Sequence, residues 1–327
     1  MKGKHIEGYD CIDDNLEIVL KNKSIDIREI FSDLWYFEFN ENAETLGTGL
    51  MQKNDNKYIK LKENFNINYA IYENKYRNNK IELKNFGVSQ KVGINEIDKI
   101  IKEKCNDNNI IITELDTFKY KYDKGFQKYV GTHSCVITEK TENKARIIDV
   151  WYNLYEIEIE YKDLLNAITR IVVLDISDVK ESKFSKTQLK TYLLDEKSIA
   201  EMKTFFEKIV KIDLEKEYLG LDFDMIFKAP IDKGLRKVIM NRQRFAYYLY
   251  YLSEKFNNRK IKEAGECIFV ISMDWIKLKS ILMQSYFLKK DIKIEQINTI
   301  TEDILKKEIK IKKEIEEIKW WNVLFLT

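Results

Sequence analysis

Three residue types that together can carry nucleophilic chemistry occur in this 327-residue chain in the order Cys11, His133, Asp149. Cys11 lies in Gly8-Tyr9-Asp10-Cys11-Ile12-Asp13-Asp14-Asn15-Leu16. There Leu16, Val19 and Leu20 recur at helical spacing, and Asp13 and Asp14 supply the acidic first turn that helix N-termini favour. The cysteine therefore sits at a helix start, where unpaired backbone N–H groups and the positive end of the helix dipole stabilise a thiolate, the form that attacks carbonyls. Asp10, Asp13 and Asp14 pull the other way. His133 stands near the start of the strand-like run 132–138, and Asp149 lies in the run 145–151 across the polar turn 139–144, so the pair reads as a β-hairpin. Antiparallel neighbours can set His133 beside Asp149, so that the carboxylate orients one ring nitrogen while the other faces the thiol. Each residue also has a plain structural use: Cys11 as a small buried hydrophobe, His133 as a satisfied strand residue, Asp149 as a turn or cap.

Composition narrows the field. Lys and Arg (56) nearly cancel Asp and Glu (54), and a net charge of +2 argues against a nucleic-acid-binding protein, which needs a concentrated basic face. The four cysteines, at 11, 105, 135 and 267, form no CxxC, and with His5 and His133 as the only histidines a Cys/His zinc site has no spacing to rest on. No apolar run approaches the ~18 residues of a membrane span, and no signal-peptide hydrophobic region opens the chain. A cytoplasmic protein with reduced thiols and no membrane partner is the expectation. A single proline and 11 glycines leave little room for a flexible linker.

The elements that must position these residues follow from periodicity. After the Cys11 helix, 25–34 reads as a second short helical pattern, 35–39 as a strand, 46–52 as a glycine-containing turn and 58–85 as an aromatic, partly strand-like mixture. The spacing predicts a helix over 94–104, strands over 110–115, 132–138, 145–151, 155–160 and 170–174, and a short helix over 161–167. From about 185 long helical periods take over, at 187–194, 198–211, 233–256, 261–289 and 294–319. The expected architecture is α+β: a mixed domain over 1–180 and an α-helical domain over 181–327 that packs against it and covers the active site.

The order Cys, His, Asp is that of papain-like sites. The segments Tyr9-Asp10-Cys11 through Trp35-Tyr36-Phe37, Ile112-Thr113-Glu114-Leu115-Asp116-Thr117-Phe118, the His133 strand, and Asp149 followed by Asp163-Leu164-Leu165-Asn166-Ala167 resemble the N-terminal domain of butirosin-type acyltransferases, relatives of the C39-like branch of papain-fold cysteine proteases. The likeness spans roughly the first 175 residues, and the helical remainder is compatible with a second domain. It implies an enzyme of thiotemplated, nonribosomal natural-product or antibiotic assembly. Such an enzyme moves an acyl group from a carrier-protein thioester through acyl-Cys11 to a primary amine, with His133 as proton shuttle and Asp149 orienting it. The partners implied are an acyl or peptidyl carrier protein and a small amine. No cofactor is implied beyond the phosphopantetheine that arrives on the carrier. A narrower resemblance is to the amide-forming enzymes of closthioamide assembly, in which a diamine accepts two acyl units.

One departure stands out, because papain-like enzymes usually place a glutamine before the cysteine as oxyanion donor and this chain has none. The Cys11 N–H and His5 are the candidates for that role, although an N-terminal histidine is as readily a surface residue. Asp116, at the end of a strand, could bind an ammonium group of the acceptor or cap the strand end. Arg236-Lys237 and Arg242-Gln243-Arg244 could meet an acidic carrier or form a solvated helix face. Tyr247, Tyr248, Tyr250 and Tyr251 suit helix packing or an aromatic acyl channel, and Trp320-Trp321 an anchor between domains. Two other functions compete: a cysteine peptidase of the C39-like branch with the same triad, and a non-catalytic binding protein that keeps the fold, for which the missing glutamine is the best argument.

Overall fold

The computed structural model describes residues 4–51, 57–75, 89–180, 194–291 and 293–318. In chain order its elements begin with helix α1 (Cys11–Lys21), a 3-10 turn (Ile27–Phe31), strand β1 (Glu38–Phe39), helix α2 (Leu46–Gly49) and strand β2 (Leu50–Met51). Helix α3 (Lys57–Phe65), strands β3 (Asn68–Asn74) and β4 (Ser89–Val92), helix α4 (Ile94–Lys104) and strand β5 (Asn109–Asp116) follow. Then come β6 (Thr132–Lys140), β7 (Lys144–Asp149), β8 (Leu154–Glu160), α5 (Tyr161–Ala167) and β9 (Ile168–Asp175). The rest is helical: α6 (Glu196–Ile209), α7 (Leu214–Tyr218), α8 (Pro230–Lys255), α9 (Arg259–Phe287) and α10 (Ile294–Glu317).

The chain is α+β and divides into two compact units, 1–30 with 56–183 and 31–55 with 184–327. A single cut at 180 therefore misplaces one segment. Residues 31–55, expected with the sheet, belong with the helices because their aromatic side chains find partners there. Phe37 stacks on Trp275 at 5.7 Å and tilts against Phe205 at 5.8 Å.

In the first unit seven strands form a mixed sheet in the order β4-β3-β9-β5-β6-β7-β8, parallel between β3 and β4 and antiparallel elsewhere. The central strands β5 and β9 read as near-continuous Ile, Val and Leu because both their faces are covered. On one face Ile97, Ile100 and Ile101 of α4 and Leu164 of α5 pack on Ile111, Cys135, Ile137, Ile147 and Ile171. Helix α1 lies against β6 and β7, the strands that carry His133 and Asp149.

Two expectations change. Only Glu38–Phe39 of the strand expected at 35–39 pairs in a sheet, and the 46–52 turn contains a helical turn capped by Thr45. Both stretches are short, and long-range packing outweighs local pattern there. In the mixed stretch 58–85, α3 comes first and the strand-like piece at 68–72 forms β3, while 76–85 lie outside the described residues. The helix expected at 187–194, apart from Leu194, and Trp320-Trp321 lie outside the described residues. Among the described residues no helix is long and apolar enough to cross a membrane.

In the second unit the two arginines of the Arg242-Gln243-Arg244 cluster are buried rather than displayed. Arg242 donates from Nε to Glu308 Oε1 at 2.9 Å and from Nη1 to the Tyr36 carbonyl at 2.7 Å, and Glu308 Oε2 accepts from the Trp35 indole. Arg236 pairs with Asp232. The carrier contact considered for the buried arginines is therefore excluded by burial. Tyr248 packs on Phe245, and Tyr247 on Tyr250 and Phe269, as helix packing. Helix α2 meets α8 backbone to backbone: a Cβ on Gly47 would overlap Pro230 and Ile231, and one on Gly234 would come within 2.8 Å of the Gly47 carbonyl. Gly47→Ala should accordingly destabilise the chain by about 1–3 kcal/mol through overpacking, read as a lower urea midpoint. An unchanged midpoint would mean that this contact is loose.

Candidate active site

Asp10 caps α1. Its Oδ1 accepts from the N–H groups of Ile12 and Asp13, both at 2.9 Å, and Asp13 Oδ2 accepts from the Asp10 N–H at 3.1 Å. Reciprocal caps of this kind stabilise a helix by about 1 kcal/mol. This cap also has a chemical consequence. It occupies the Ile12 and Asp13 donors, whereas the Cys11 N–H meets no acceptor among the described residues. A backbone N–H with no acceptor, next to a thiol, is the kind of donor an oxyanion takes.

The acids that flank the cysteine are each held by a base. Lys57 of α3 is buried, and its Nζ donates to both Asp10 oxygens at 3.0 Å and to Asp13 Oδ1. Asp14 is buried too; Oδ2 contacts His5 Nδ1 at 2.6 Å and Oδ1 accepts from the Ile6 N–H at 3.0 Å. Burial raises the Asp14 carboxyl above the usual carboxylate range, with His5 and Ile6 opposing. His5 thus commits Nδ1 to Asp14 and sets its ring edge-on to Trp151 at 4.3 Å.

His133 and Asp149 meet as the hairpin suggested. His133 Nε2 lies 2.8 Å from Asp149 Oδ2, and the Cys11 side chain is near enough to the imidazole to help raise its pKa. Tyr120 donates its hydroxyl to the same Asp149 oxygen at 3.0 Å and stacks its ring near His133 at 5.8 Å. Tyr152 adds a second ring at 4.9 Å, anchored by a 2.8 Å hydrogen bond from its hydroxyl to Asp123. Burial lowers the imidazole pKa, but the hydrogen bond to Asp149, the nearby Cys11 side chain and the charges of both outweigh it, raising it to about 10. The raised value favours the charged ring in the folded chain. Its charge stabilises the folded chain fully below about 6.5, and that contribution is lost as pH climbs towards about 10. Cys135 is buried, and burial pushes up the thiols of Cys105, Cys135 and Cys267.

Two further residues hold this arrangement and were not singled out from sequence. Asn15, one helical turn after Cys11 and fully buried, donates from Nδ2 to the Ser134 carbonyl at 3.0 Å and accepts at Oδ1 from the Val150 N–H at 3.2 Å. One amide side chain thus ties the cysteine helix to the residue after His133 and the residue after Asp149. Its sequence signal is a polar residue on the apolar side of α1, spaced i+4 from the cysteine. The other is Tyr120, inside an aromatic segment that gives no hint which ring turns inward. Asp116 ends β5, opposite Thr132 and one step from His133. Its Oδ1 accepts from the Phe118 N–H at 3.0 Å and its carbonyl from the Lys119 and Tyr120 N–H groups. It shapes the turn that delivers Tyr120.

Comparison with protein-family models and with curated proteins finds no match to the chain. Among the described residues no group of three or more His, Cys, Asp or Glu side chains could hold a metal ion.

Two outcomes follow from this geometry. With only two histidines in the chain, their ring protons are readily assigned by NMR; the His133 midpoint should lie near 10, and Asp149→Asn and Cys11→Ala should each lower it. A midpoint near 6.5 in the unaltered protein would contradict the pairing of His133 with Asp149. Asn15→Leu should leave two buried backbone groups unpaired, at about 1–3 kcal/mol each, and should broaden or shift the His133 signal. A His133 titration identical to wild type would show that the amide does not position the site.

Proposed function

We propose that this chain is a cysteine-dependent acyltransferase on a papain-like, C39-like fold, moving an acyl group from a carrier-protein thioester to a primary amine. The observation that supports it is the 2.8 Å pairing of His133 with Asp149 beside the Cys11 helix start. The three are a cysteine at a capped helix start, a histidine at a strand start and a buried acid on the next strand, in the order of papain-like sites.

In the first half-reaction the Cys11 thiolate, paired with the His133 imidazolium, adds to the thioester carbonyl. The oxygen takes up negative charge against the Cys11 N–H. The bond from the carbonyl carbon to the phosphopantetheine sulfur then breaks, and that sulfur leaves as a thiol with the His133 proton. Neutral His133 remains beside acyl-Cys11. In the second half-reaction an unprotonated amine adds to the acyl carbon and gives its proton to His133. The carbon–sulfur bond to Cys11 breaks, an amide leaves, and the thiolate–imidazolium pair is restored. Asp149, fully buried and also bound by Tyr120, holds the imidazole in register through both halves.

Exchange of one thioester for another is nearly isoenergetic, so the chemistry turns on favouring amine over water. The rings of Tyr120 and Tyr152 beside His133, and its near-complete burial, suit a site that limits water. Intact-mass measurement after incubation with a butyryl thioester of N-acetylcysteamine should show one acyl adduct, mapped to Cys11 and lost in Cys11→Ala. A diamine should discharge it as amide, and His133→Ala should slow both steps at least about a hundredfold. Cleavage of peptides with no amine transfer would favour a peptidase, and absence of any adduct would leave a binding protein.

A further inference from the structure

The connection between β5 and β6, residues 117–131, folds as a closed loop. The Thr117 N–H donates to the Gly131 carbonyl at 3.2 Å, Thr117 Oγ1 to the Tyr129 carbonyl at 3.0 Å, and the Gln127 N–H to the Phe118 carbonyl at 3.0 Å. Its inward side serves the candidate active site, since Tyr120 binds Asp149 and Asp123 anchors Tyr152. Its outward side has a different character. Lys119, Lys121, Lys124 and Lys128 are all exposed, while Asp123, the segment's one acid, is buried against the Gly125 N–H and Tyr152. Lys121 shares a 3.6 Å ion pair with Asp163, and among the described residues Lys119, Lys124 and Lys128 pair with no carboxylate. Four lysines against one aspartate give this loop a net charge of +3, more than the +2 of the whole chain. Two apolar side chains stand among the lysines, Phe118 at 40% and Val130 at 51% exposure.

We infer that the outward face of this loop docks the acyl donor's protein, an acidic, helical carrier whose surface carboxylates meet Lys119, Lys124 and Lys128 and whose apolar side chains cover Phe118 and Val130. This inference rests on the acyl-transfer reading above. A phosphate backbone alone would leave the two apolar side chains unused, and the near-neutral chain lacks the extended basic field that nucleic acid selects. A carrier fits both the charge and the apolar contacts. The loop's position also matters: the residue between Lys119 and Lys121 is the tyrosine bound to Asp149, so a carrier seated here would sit on the segment that also shapes the candidate site.

The test compares two donors of one acyl group: an acidic acyl carrier protein bearing a butyryl-phosphopantetheine thioester, and butyryl-N-acetylcysteamine. Acylation of Cys11 is followed by intact mass. In the wild-type chain the carrier should be the better donor by kcat/KM, and added salt should weaken that preference. The combined variant Lys119→Glu, Lys124→Glu, Lys128→Glu should cut the carrier-to-small-thioester ratio at least about tenfold, chiefly through KM for the carrier. Gln at the same three positions, a gentler change should the Glu variant misfold, should cut it less and abolish its salt dependence. An unchanged ratio in both variants, with Cys11 still acylated by the small thioester, overturns the docking face alone. No acyl adduct from either donor overturns acyl transfer and docking together. Loss of binding to a labelled oligonucleotide in the variants, with the carrier reaction intact, would overturn the carrier in favour of nucleic acid.

Discussion

A carboxylate cut off from water must be paired, and Asp149 is fully buried at the end of β7. Its Oδ2 takes a ring N–H from His133 and a hydroxyl from Tyr120, while Oδ1 meets no donor among the described residues. Much of the site's geometry follows from the pairing at Oδ2. The imidazole pKa is raised because Asp149 and Cys11 together outweigh the desolvation that would otherwise lower it. The β5–β6 connection turns inward at Tyr120 to give Oδ2 its second donor, which leaves its lysines outside.

The second constraint is electrostatic and concerns α1. Asp10, Asp13 and Asp14 place three carboxylates within three residues of Cys11, and like charges so close together repel unless they are paired. Lys57 binds the first two and His5 the third, so the acids work as caps and tethers. Asn15 adds a mechanical tie without a charge. A buried amide with a donor and an acceptor can serve one carbonyl and one N–H on different strands at once, and here it does so beside His133 and Asp149. Thiol, imidazole and carboxylate are thus held by one helix and one hairpin.

Long, strongly patterned elements were legible. The helix at 94–104, the short helix at 161–167 and the paired strands around 132–149 appear close to where periodicity places them, because each buries an apolar face that its own sequence repeats. The misread stretches are short and aromatic. Trp35, Phe37 and Phe39 look like a strand that continues the first unit, yet they fill a helical core in the second, a destination decided by partners such as Phe205, Trp275 and Glu308 far along the chain. Arg242 and Arg244 look like surface charge for a similar reason: the carboxylate and carbonyl that let Arg242 be buried lie on other elements.

By itself the sequence determined which atoms are at hand: a cysteine at a helix start with its cap, a histidine and an acid on neighbouring strands, and no excess of charge over the whole chain. These depend on residue type and on contacts a few positions apart. Only the tertiary structure decided that Lys57 bridges Asp10 and Asp13, that Asn15 spans from α1 to Ser134 and Val150, and that Tyr120 turns in while Lys119 and Lys124 turn out. Each of these is a choice among many equivalent lysines, asparagines and tyrosines. The choice is made by which buried donor or acceptor lacks a partner once the sheet has formed, and a local pattern carries no record of that.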